Sequence, residues 1–205
     1  MSIPVKDGTA WYGKQCEPVK IINIGSYAKE GWVSHILTLM VLCGSTYIET
    51  SAHLYPDGIT LADIAPEFFL RRAFIVHLPK GKRILPCASK PPSDFRKKQD
   101  ALLLASGWDE KSDEADYYAA SPYFSKDLQE FILELSPAIL GGDMLSFDAP
   151  DDDSQPFLHK YFHKGGIILV PLVGLGKVPK EVVTLCAAPL KLEKTCAAPC
   201  RALCW

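Results

Sequence analysis

The sequence predicts one domain of the α/β kind, on three observations. Short apolar runs of strand length outnumber helical patterns. The two kinds of segment alternate only loosely, which leaves α+β as the neighbouring class. No linker or internal repeat divides the 205 residues. A chain of this length can bury a substantial core by itself. Apolar residues make up 48% and charged residues 22%, with a net charge of −2, so bulk charge gives no reason to expect a nucleic-acid or anionic-membrane partner.

In chain order, strands are expected at 19–24, 36–43, 73–77, 101–105, 138–141, 166–172 and 182–190. "TLADIAPEFF" opens on Thr60, a fit N-cap, and makes a short helix limited by Pro66. "SKDLQEFILEL" is the clearest helix. Ser125 caps it, and Leu128, Phe131, Ile132 and Leu135 repeat at helical spacing on one face. "HKYFHKGG" reads as a further short helix, stopped by Gly165 and Gly166. Two long loops, 86–100 and 107–122, are the places where binding residues or mobility are expected. The acidic "DAPDDDSQP" (148–156) lacks the glycine and closing glutamate of an EF-hand loop and is read as a solvated turn.

Seven cysteines stand at 16, 43, 87, 186, 196, 200 and 204, without C-x-x-C or finger spacing. They are expected to be reduced and mostly buried, with no structural zinc. The N-terminal "MSIPVKDGTAWYGKQ" has no apolar core of a signal peptide, and the run at 35–43 is far short of the roughly 20 residues that cross a bilayer. A cytoplasmic protein with no membrane partner is the expectation.

Several segments together resemble the cyclase superfamily that contains bacterial kynurenine formamidase and isatin hydrolase. The family hallmark H-x-G-T-H-x-D-x-P-x-H falls on C-G-S-T-Y-I-E-T-S-A-H, residues 43–53, followed by "YPDGITLADI". "LLLASGWDEKSDEADYYAASPYFSKDLQEFI", "GGDMLSFD", "HKYFHKGGIILVPLVGL" and "AAPLKLEKTCAAPCRAL" are similar to later family segments in order and spacing, so the resemblance covers about residues 11–201. It implies a single cyclase-like domain over 1–205. Its mixed β-sheet curls towards a barrel with packed helices, of the swivelling β/β/α type, and it assembles as a homo-oligomer, a dimer or tetramer with the pocket near the interface.

The departures from the hallmark define the candidate site. The family's metal-binding histidines and aspartate become Cys43, Tyr47 and Glu49. The later histidine stays as His159, and the last ligand position, a glutamate in the family, is Pro171. If a divalent zinc or manganese binds, Cys43, Glu49 and His159 are the donors the resemblance leaves; the expected state is no cofactor. His53 falls on the family's proton-shuttling histidine, and imidazole titrates near neutrality. The candidate catalytic set is therefore His53, Glu49 and His159, with Trp11, Tyr47 and Tyr117 as substrate-binding residues and Tyr118 beside the last. If 43–53 is extended, its odd-numbered residues share one face. The implied activity is hydrolysis or cyclisation of a small aryl or cyclic amide or lactone, of the arylformamidase or isatin hydrolase type. A metal-free biosynthetic cyclase or isomerase, and a non-catalytic binder of a small ligand, are the alternatives.

Overall fold

The structure, a computed structural model, describes residues 1–12, 16–87 and 93–205. Its centre is an eight-stranded mixed sheet. Four of its strands are mutually parallel and stand side by side: β4 (Leu70–His77), β6 (Ala101–Ala105), β8 (Ile139–Gly142) and β9 (Ile167–Val170). β3 (Tyr47–Glu49) pairs antiparallel with β9 and carries β11 (Ala197–Pro199) at that edge. At the other edge β10 (Val182–Cys186) pairs antiparallel with β4 and holds β12 (Leu203–Cys204). The sheet curls into a half-barrel.

Both faces of the sheet are covered, which explains the near-continuous apolar runs of its parallel strands. Along β6, Leu102 and Leu104 face the helices, while Ala101, Leu103 and Ala105 pack in a second core on the opposite face. α1 (Lys126–Leu135) lays Leu128, Ile132 and Leu135 into the first core. The Ser125 side chain accepts from the Leu128 amide as its N-cap, as the sequence predicts. α2 (Pro156–His163) begins earlier than "HKYFHKGG" suggests, with a proline in its first turn and Phe157, Leu158, Tyr161 and Phe162 buried. Gly165, at φ +78, ends it.

Two sequence expectations about elements are corrected. The segment from Thr60 forms no α-helix but two 3-10 turns, Leu61–Asp63 and Pro66–Phe69, because Pro66 has no amide to continue the first. The run 36–43 is strand only to Thr38: β1 (Lys20–Ile24) and β2 (Ser34–Thr38) make a separate antiparallel ribbon, every strand residue of which is exposed. β5 (Ile84–Leu85) and β7 (Tyr123–Phe124) form a third, two-stranded parallel sheet. Residues 88–92 of the first long loop lie outside the described residues, and the second contains a 3-10 turn at Trp108–Lys111.

The cysteines also differ from expectation. Cys16 and Cys43 are disulfide-bonded, one just before β1 and the other just after β2, so the bond closes the base of the exposed ribbon. The remaining five are free; Cys87 is exposed and the others are half-buried. None of the five is deep in the core, because most sit on edge strands or in connecting segments. Among the described residues no helix is long and apolar enough to cross a membrane.

Candidate functional site

β3 is three residues long and fully buried, and its alternation decides the site. Ile48 points into the second core, while Tyr47 and Glu49 line a cavity of about 170 Å³ on the other face. After Glu49 the chain leaves the strand. His53 is presented by a 3-10 turn, Ser51–His53, so the shared odd-numbered face holds for 47 and 49 only. The turn is fastened locally: the His53 amide donates to the Thr50 carbonyl, and Thr50 Oγ1 donates to the Ile59 carbonyl at 2.6 Å.

The turn nevertheless brings His53 to the strand residue. His53 Nε2 lies 3.4 Å from Glu49 Oε1, close but without a hydrogen bond, and among the described residues Oε1 has no other partner. Glu49 is 3% exposed, and burial pushes its carboxyl up to about 8. The His53 side chain, 30% exposed at the rim, is pulled below the usual imidazole value by burial. Near pH 7 the pair is a neutral acid beside a neutral base.

Tyr47 contributes its hydroxyl to the same cavity and is bonded at 2.9 Å to that of Tyr12. Because Tyr12 donates its one proton to the Leu145 carbonyl, Tyr47 is the donor between the two phenols. Burial moves both tyrosines well above the ordinary phenol value. Tyr118 packs edge-on to Tyr12 at 4.7 Å between centroids and also lines the cavity.

Other predicted residues fall elsewhere. Tyr117, 1% exposed, is stacked on Trp108 and donates to the Asp143 carbonyl, so Tyr118 and not Tyr117 meets the cavity. Trp11 packs edge-on against Tyr117, and its neighbour Tyr12 takes the wall position. His159 is outside the wall, with Nδ1 bonded to the Tyr55 hydroxyl at 2.8 Å. Leu145, Asp148, Asp153 and Gln155 are wall residues that sequence reasoning missed. Asp148, the last residue of the family-like "GGDMLSFD", accepts from the Phe157 and Leu158 amides, capping α2 from nine and ten residues upstream.

The donors that the resemblance leaves for a metal, Cys43, Glu49 and His159, are not gathered into one group among the described residues. Cys43 is bound to Cys16 and offers no thiolate, which corrects its reading as a ligand. The Tyr47 hydroxyl is engaged by Tyr12. Pro171 has no donor side chain, and its carbonyl accepts from Thr46 Oγ1 at 2.6 Å. Among the described residues no three of His, Cys, Asp and Glu converge.

Comparison with known proteins agrees with this architecture. The family profile described as "Putative cyclase" matches residues 1–149. Kynurenine formamidase of Bacillus cereus is 27% identical over 168 residues, which are 82% of this chain and 77% of that protein. Isatin hydrolase A from Labrenzia aggregata, solved with benzyl benzoate, superposes with a TM-score of 0.73 at 19% identity, over 93% of this chain and 84% of that one. A potential metal-dependent hydrolase with cyclase activity gives a TM-score of 0.77 at 20% identity, over 99% and 94%.

Proposed function

This chain belongs to the cyclase family, and from that premise we propose that it is a hydrolase of a small aryl or cyclic amide or lactone, working by the acid and base of its own side chains. The kynurenine formamidase and isatin hydrolase relatives support the reaction class. The observation that carries the mechanism is the approach of His53 Nε2 to the unpartnered Glu49 Oε1 inside one cavity.

In this reading the neutral His53 imidazole takes a proton from the attacking water as it adds to the substrate carbonyl. Glu49, kept protonated by burial, hydrogen-bonds the carbonyl oxygen as negative charge develops there, then protonates the leaving nitrogen or oxygen. Tyr47 and Tyr12 hold the aromatic part of the substrate against the wall. His159 acts through Tyr55 as a positioning residue, since Tyr55 follows the turn that carries His53. A homo-oligomer is part of the proposal. So is the absence of any step through a metal, because the donor set does not fit one.

The test is a screen of aryl formamides, isatin-type lactams and aryl lactones against wild type and His53→Gln. Gln keeps a hydrogen-bonding group without a usable proton-transfer pKa, so its turnover should fall by about 100-fold or more. A His53→Gln protein that retains most of the wild-type rate removes His53 from the chemistry. A wild type silent across the whole series favours the non-catalytic binder.

A further inference from the structure

The acid and base leave part of the cavity wall unused. Gln155, Asp148 and Asp153 stand there together. Gln155 precedes α2 with φ 42 and ψ 54, a left-handed conformation uncommon outside glycine, and its Oε1 is buried without any donor among the described residues. Its carboxamide oxygen can only accept. Glu49 Oε1, on a residue 3% exposed, is the second buried oxygen of the same cavity without a partner among the described residues. Buried polar atoms are almost always paired, so two orphans in one cavity mark places where a ligand completes the bonding.

The charge on the wall points the same way. Asp148 is occupied by the α2 amides, but Asp153 is exposed at the mouth and free of side-chain ion pairs among the described residues. No lysine or arginine lines the cavity among the described residues. An anionic ligand would enter against two carboxylates with no counter-ion, whereas a cation or a neutral N–H donor would find acceptors. The volume matches one aromatic ring, since cavities of about 150 Å³ hold benzene.

Building on the active-site reading, we propose that the cavity selects a single-ring ligand bearing an uncharged or cationic N–H group. That group donates to Gln155 Oε1 and faces Asp153, and carboxylates are rejected. Gln155 is then the specificity residue. For an amide or lactone substrate the rejection has a use: the carboxylate product formed at Glu49 and His53 is repelled, and its release is favoured.

Benzamidine, benzamide and benzoate share one ring and differ in charge, so calorimetric titration of all three at pH 7 and low salt tests the idea. Binding is measured on the His53→Gln protein, so its outcome is independent of turnover: failure of the acid–base reading appears in the rate of that variant, failure of this inference in the ranking. Benzamidine and benzamide should bind about tenfold or more tighter than benzoate. Gln155→Met, close in shape but with only a weak sulfur acceptor, should weaken the two N–H ligands about five- to tenfold and leave benzoate unchanged. Asp153→Asn should weaken benzamidine alone. If Gln155→Met folds poorly, Gln155→Glu serves instead and should tighten benzamidine relative to benzoate. Benzoate binding as tightly as benzamide, ligand affinities indifferent to Gln155, or no binding of any probe at millimolar concentration would each overturn the proposal.

Discussion

Glu49 gives up stability to keep its proton, and the sign of the effect is fixed by its shift. Its folded value of about 8 lies above the ordinary 4.5, so between those values the folded chain holds a proton that the unfolded chain has lost. Stability from this group is complete below about pH 4.5, declines as pH rises, and is lost above about 8, a difference of a few kcal/mol. Glu49→Gln should therefore melt higher than wild type at pH 8.5, with the gap closing towards pH 4.5. Melting curves at both pH values check this; a gap that widens on acidification would mean that Glu49 is ionised in the folded protein. His53, shifted the other way, loses stability as pH falls below 6.5, so its variants should show the opposite trend. The same pair predicts a bell-shaped kcat/KM profile, with an acid limb below the usual imidazole value and an alkaline limb near 8. Zn²⁺ or Mn²⁺ should leave the melting temperature within about 1 °C, because only an ion held by the folded state raises it. At this scale the hallmark made Tyr47, Glu49 and His53 legible. Gln155 and Asp153 were not, because whether a polar residue faces a cavity depends on partners brought from elsewhere in the chain.

Among the elements, the 3-10 turn Ser51–His53 decides whether His53 meets Glu49. A strand carried through to residue 53 would have set His53 further along a flat face; the turn folds it back over Glu49. Gly58 sets the fit of that turn. Its amide donates to the Tyr55 carbonyl, and a Cβ there would collide with the backbone of Ser51 and Ala52, which cannot yield as a side chain can. Gly58→Ala should thus lower kcat by about tenfold or more through displacement of His53, while circular dichroism stays native and melting falls modestly. The neighbouring Ile59, 48% exposed, supplies the control: Ile59→Thr should leave kcat unchanged. Equal kinetics for Gly58→Ala and wild type would separate turn geometry from catalysis. The larger elements were readable because their patterns are local: the Ser125 cap and apolar face of α1, and the runs of β6 and β10. The early end of β2 was not, since an apolar run ends as strand where its partner ends, and β1 ends the ribbon.

The whole molecule carries one feature that its own fold leaves unfinished. Among the described residues the β1–β2 ribbon pairs with no other strand, yet it presents Ile22 and Ile36 opposite each other, both 49% exposed, with Ile21 opposite Leu37, 39% and 54% exposed. A two-stranded ribbon alone is marginal in water, and here each of its two faces shows an exposed apolar cross-strand pair, which marks an interface. The disulfide between Cys16 and Cys43 joins the two ends of the ribbon at its base. The aromatic residues near the chain ends offer less: Trp11 and Tyr12 pack on Tyr117 and Tyr118, leaving Trp205 62% exposed. Self-association through the ribbons is the expected outcome, since a second copy brings an identical apolar ladder and a two-fold axis lets each cover the other. Light scattering at micromolar concentration should give at least twice the 22.6 kDa chain mass. The double variant Ile22→Lys, Ile36→Lys places two charges on one face of the ribbon without touching either core, and should shift the mass towards a single chain while the cavity keeps its ligands. A wild type that scatters as one chain would end the idea, and a double variant still dimeric would move the interface away from the ribbon.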